Sequence, residues 1–81
     1  MANLTIEQNQ NLSEYERMFF SEGWKLLAED LKERQSELGD KALRATNDKE
    51  LFFLKGLNEV YTYILGLPDL IREVRKSYEE V

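Results

Sequence analysis

Apolar residues recur along this chain at helical rather than strand spacing. Trp24, Leu27, Leu31 and Leu38 fall on one face, with Leu26 and Ala28 widening it. Their spacing is that of an α-helix packed on one side. The opposite face is polar and carries Lys25, Glu29, Lys32, Glu33 and Glu37. Asp30 precedes Arg34 at i, i+4, the favourable order for an ion pair on a helix. Ser21 is placed to cap this helix, which then starts at Glu22 unless a single kinked helix runs through Gly23, and Gly39 reads as its stop. Residues 40–46 form a connection with some helical character through Ala42-Leu43-Arg44. Asn47 is a second N-cap, with Glu50 at the third helical position and Asp48 near the positive end of the dipole. The helix it opens runs to Leu65 and is stopped by Gly66. Leu67-Pro68-Asp69 opens a last helix, with proline where its missing N–H does no harm. On that helix Leu67, Ile71, Val74, Tyr78 and Val81 recur at coiled-coil-like intervals, with Leu70 beside them.

The helix over residues 48–65 is apolar over an unusually wide arc. Leu54, Leu57, Tyr61 and Ile64 make one stripe. Phe53, Val60 and Tyr63, with Gly56 between them, make an adjacent one, and Phe52 lies further round. One neighbouring helix cannot cover so much, and a helix apolar nearly all round is buried on several sides. The second side is covered either by another subunit or by the terminal helices of the same chain. Gly56 is costly in mid-helix unless a backbone approaches closely there.

The amino-terminal stretch breaks this pattern. Residues 1–12 are rich in Asn and Gln, and after Met1 their only large apolar residues are Leu4, Ile6 and Leu12. They read as a polar arm, either flexible or laid along a neighbour with Leu4 and Ile6 as anchors. Ser13-Glu14-Tyr15-Glu16 has the form of a capping box, so the first helix is expected to begin there and end near Phe20. The expected fold is all-α: a helical hairpin of residues 22–38 against 48–65, a short helix before it and a turned helix after it. Residues 13–81 make a single helical domain.

Composition decides what kind of work such a chain can do. At 81 residues it has room for one small core, and cores of this size are commonly stapled by disulfides, metal or oligomerisation. It has no Cys and no His. Disulfides are therefore excluded and zinc is disfavoured, which leaves self-association or docking onto a larger protein. The common nucleophile–base pairs also need those two residues, and no glycine-rich phosphate loop is present. Neither catalytic residues, cofactor nor metal is expected. The net charge of −5, from 16 acidic and 11 basic residues, argues against direct nucleic-acid binding. The aromatic residues, led by Trp24, Phe52 and Phe53, read as packing groups rather than a ligand platform, so no small molecule is expected. No run is long enough to span a membrane, and the amino terminus lacks the basic and apolar regions of a signal peptide.

Four segments carry a resemblance. Phe20-Ser21-Glu22-Gly23-Trp24-Lys25-Leu26-Leu27 is followed by Asp30-Leu31, later by Leu51-Phe52-Phe53-Leu54-Lys55-Gly56, and then by Ile64-Leu65-Gly66-Leu67-Pro68. This order resembles small helical proteins encoded in tailed-phage morphogenesis regions. The likeness extends over residues 15–78 and consists of helix starts and core positions; the polar arm lies outside it. It implies a virion component or assembly factor, located in the host cytoplasm or the virion. The expected interface residues are Leu4, Ile6, Phe52, Phe53, Tyr63, Val74, Tyr78 and Val81, facing a protein partner or a second copy in a homo-oligomer. A different expectation is a small acidic inhibitor of a host enzyme or defence complex. Its carboxylates over residues 29–37 and at Glu79 and Glu80 would then partly mimic nucleic acid.

Overall fold

The structure, a computed structural model, describes residues 4–79. It is all-α, with four helices among the described residues: α1 (Ile6–Phe19), α2 (Glu22–Leu43), α3 (Asp48–Leu65) and α4 (Leu67–Glu79). They belong to two compact units. One comprises the two ends of the chain, residues 1–25 and 66–81, and the other comprises residues 26–65.

Helix α1 starts earlier than the sequence suggests. Thr5 has an extended backbone (φ −71°, ψ 165°). Its hydroxyl accepts from the Gln8 backbone N–H at 3.0 Å, and the Gln8 side chain accepts from the Thr5 N–H at 3.0 Å. This reciprocal pair satisfies two N–H groups that a helix start otherwise leaves open. Glu7 adds a negative charge in the first turn. The helix start expected at Ser13 is thus corrected: residues 6–12 are helical, and Ser13 and Glu16 lie inside α1, where their side chains serve α4 instead.

The remaining helix ends follow local chemistry. The Ser21 hydroxyl donates to the Met18 carbonyl at 2.6 Å and accepts from the Trp24 N–H at 3.1 Å, closing α1 and opening α2 with one side chain. Gly39 does not stop α2. No described glycine has a positive φ, and the helix continues to Leu43, where Arg44 and Ala45 close it with tighter i→i−3 bonds. The Asn47 side chain caps α3 by accepting from the Glu50 N–H at 2.8 Å. Gly66 separates α3 from α4, and its carbonyl accepts from the Leu70 N–H at 3.0 Å.

In the first unit α1 and α4 pack antiparallel. Arg75 of α4 meets Asn9, Ser13 and Glu16 of α1. Phe19 and Phe20, at the far end of α1, line a small cavity with Pro68 and Ile71. Leu12 is the buried residue of α1. Phe19 and Trp24 meet edge to face with ring centroids 4.8 Å apart, a favoured aromatic geometry. In the second unit, residues 26–43 of α2 lie antiparallel to α3. The Gln35 amide donates to Asn58 Oδ1 at 2.9 Å and to Thr62 Oγ1 at 2.8 Å. Leu31, Leu38 and Leu54 are the buried residues here.

The resulting core is small. Four leucines are buried among the described residues, whereas thirteen large apolar side chains stay exposed. Much of the apolar surface this sequence carries is therefore not consumed by its own fold.

Candidate protein-interaction surface

The two stripes read on α3 part company in the structure. Leu54 is buried, and Leu57, Tyr61 and Ile64 are half-buried, so this stripe faces inward. The adjacent stripe faces solvent: Phe52 is 73% exposed, Phe53 and Tyr63 each 65%, and Val60 53%. Gly56 is exposed among them. Single exposed apolar residues are ordinary on protein surfaces, whereas a contiguous apolar patch is a candidate contact surface.

The other expected interface residues fall in different settings. Leu4 is half-buried, and Ile6, in the first turn of α1, is 81% exposed. Val74 and Tyr78 are half-buried and share a face of α4 with Leu67, Ile71 and Arg75. Arg75 on that face bonds to α1, so the regular apolar spacing of α4 is directed at α1 and partly spent there. Val81 lies outside the described residues. The structure thus brings Phe52, Phe53 and Tyr63 together on one helix face and leaves Leu4, Ile6, Val74 and Tyr78 in the other unit.

Arg75 is the polar centre of the first unit. Its guanidinium meets the Glu16 carboxylate at 2.7 Å and 3.4 Å, donates to Ser13 Oγ at 3.3 Å and also donates to Asn9 Oδ1. A planar fork suits such two-point binding of a carboxylate. This cluster escaped the sequence reading. Asn9, Ser13 and Glu16 at intervals of four and three residues were a legible signal for one polar edge of a helix.

The second unit carries a groove of about 380 Å³ between α2 and α3. Leu38, Ala42, Leu51 and Leu54 line it, with Gly39 open towards it and Lys55 at its edge. Its apolar lining was not anticipated; Gly39 and Ala42, both small and three residues apart on α2, were the signal for it.

Charge on α2 is mostly solvated. Arg34 pairs with Asp30 at 2.9 Å, and the hydrogen bond and charge of Asp30 raise the Arg34 guanidinium above its ordinary pKa. Glu29, Glu33 and Glu37 recur every four residues, are exposed, and enter no ion pair among the described residues. No group of three or more acidic residues among those described is placed to hold a metal ion. No described helix is long and apolar enough to cross a membrane. No protein-family model, curated protein or solved structure matches the chain.

Proposed function

We propose that this chain is a non-enzymatic protein that works through helix-mediated contacts with protein, its own copies included, as a structural or assembly component of a tailed phage. The observation that carries the contact reading is the exposed aromatic face of α3, formed by Phe52, Phe53 and Tyr63 with Val60. Exposing such a face in water is unfavourable by about 25 cal/mol per Å² of apolar surface. Covering it is a ready source of binding energy. The phage assignment rests on the resemblance of residues 15–78 to small morphogenesis-region proteins.

Two measurements test the two parts. Quantitative mass spectrometry of purified particles and assembly intermediates should find the chain at a fixed ratio to a larger virion protein. Its absence from both removes the virion role. Affinity capture with the wild-type chain and a Phe52→Ser/Phe53→Ser variant should show partners, or further copies, that the variant loses. Equal capture by the two removes α3 as the contact helix.

One observation favours a second reading. The row of Glu29, Glu33 and Glu37 presents exposed carboxylates along α2, as a small acidic inhibitor of a host enzyme or defence complex would to a basic surface. Binding of that kind weakens steeply with added salt. A complex indifferent to salt would exclude it.

A further inference from the structure

At about 100° per residue, Gly56 lies at the centre of the exposed arc of α3, with Phe52 and Tyr63 to one side and Val60 and Phe53 to the other. Its backbone is ordinary helix, with no positive φ, and a Cβ placed on it meets no atom within 4 Å. Nothing in the chain's own fold calls for glycine there, although glycine weakens a helix interior relative to alanine. Close approach of a second backbone is a physical reason for having it.

The residue order on this face is self-complementary. Phe53, Gly56, Val60 and Tyr63 follow one another at intervals of three, four and three residues, which read the same in both directions. When a second copy of α3 is laid antiparallel, Gly56 faces Val60 of the second copy and Phe53 faces Tyr63 of the second copy. Small then meets branched, and ring meets ring.

Charge favours the same arrangement. Lys49 lies on this face in the first turn of α3, where the helix dipole disfavours a cation, and the last turn of α3 has no basic residue. Antiparallel packing keeps the two copies of Lys49 well apart. Parallel packing would set Lys49 against Lys49.

The available area also suffices. With an aromatic side chain presenting about 200 Å² when fully exposed, Phe52, Phe53 and Tyr63 together with Val60 offer on the order of 500 Å² per copy. Two copies then bury roughly 1,000 Å², the low end of specific interfaces, which suits a reversible pair.

We infer that two copies of this chain pair antiparallel through α3, with Gly56 at the closest approach of the two helices. This inference rests on the reading of α3 as the contact helix. Sedimentation equilibrium over a micromolar range should show a monomer–dimer equilibrium for the wild type. Gly56→Leu should raise the dissociation constant about tenfold or more, because a side chain is forced into a packed crossing. Its melting temperature at low concentration should not fall, since leucine is the better helix former and has open space in the monomer. Gly56→Ala should shift the equilibrium less, in the same direction. Because the chain has no cysteine of its own, single cysteines report the orientation. In an equimolar mixture under mild oxidation, Phe53→Cys should cross-link to Tyr63→Cys. Phe53→Cys alone should not, since antiparallel packing holds the two copies of position 53 about 15 Å apart along the axis. Self-cross-linking of Phe53→Cys, or undiminished pairing of Gly56→Leu, overturns this arrangement while leaving α3 as a contact helix. A wild-type chain that stays monomeric also overturns the pairing, and the Phe52/Phe53 capture comparison then decides the wider reading on its own.

Discussion

Replacing Arg75 with alanine should loosen the first unit by about 2 kcal/mol. A hydrogen bond to a charged group contributes about 1.5–3 kcal/mol when shielded, whereas an exposed ion pair gives under about 1 kcal/mol. Arg75 and Glu16 sit between these limits, with side chains 18% and 37% exposed. The fork also reaches Asn9 and Ser13, so its loss removes more than one pair. For a chain of this size each kcal/mol shifts the melting temperature by about 4–8 °C, and the expected drop is roughly 8–16 °C. Trp24, the sole tryptophan, belongs to this unit and meets Phe19 edge to face, so its fluorescence reports the change directly. A double-mutant cycle with Glu16→Gln should return a coupling of about 1 kcal/mol, since in-contact charged partners are not additive. Arg75→Lys should recover only part of the loss, because an ammonium cannot bind two carboxylate oxygens as a planar fork does. If Arg75→Ala melts within a degree or two of wild type, or if lysine restores it fully, the fork does not hold the two ends together.

Three further outcomes follow from the same structure. Gly39→Ala should stabilise the second unit by about 0.5–1 kcal/mol, because Gly39 is interior to α2, lacks a positive φ and has open space around it; a lowered midpoint in urea would contradict this. Thr5→Ala should remove about 1 kcal/mol from the start of α1 and speed amide exchange at Gln8, leaving exchange in α3 unchanged. Leu54→Ala should destabilise the chain by about 2–4 kcal/mol, read by chemical denaturation, as one of only four buried leucines among the described residues.

The helix plan was legible wherever a cap and an apolar stripe agreed. Asn47 and Gly66 bracket α3 as the sequence indicates, and Ser21 marks the break before α2. A single residue type is a weak guide where the backbone or a neighbouring side chain overrides it. Gly39 looked like a stop, but glycine ends a helix only when the backbone turns left-handed, and here it stays helical. The Asn- and Gln-rich start looked like an arm, but Thr5 and Gln8 already form the reciprocal cap that nucleates a helix. The α3 arc was legible as surplus apolar surface. Which half of it faced inward was not, because both stripes have the same period and differ only in what the tertiary fold places beside them. Arg75 was opaque for a similar reason: its partners lie 59 to 66 residues away, beyond the reach of any local pattern.

The two units differ in how far apart in the chain their partners lie, and this sets an order of folding. Gln35 finds Asn58 and Thr62 within 27 residues, so the hairpin closes a short loop at modest entropic cost. The first unit has to join Asn9 to Arg75, 66 residues apart. Loop-closure cost grows with length, and local contacts form faster than distant ones. During synthesis the hairpin can fold as soon as its own residues have emerged. Helix α1 has to wait for residues 66 positions further along before Asn9 meets Arg75. Leu12, the buried residue of α1, therefore stays uncovered until α4 has been made.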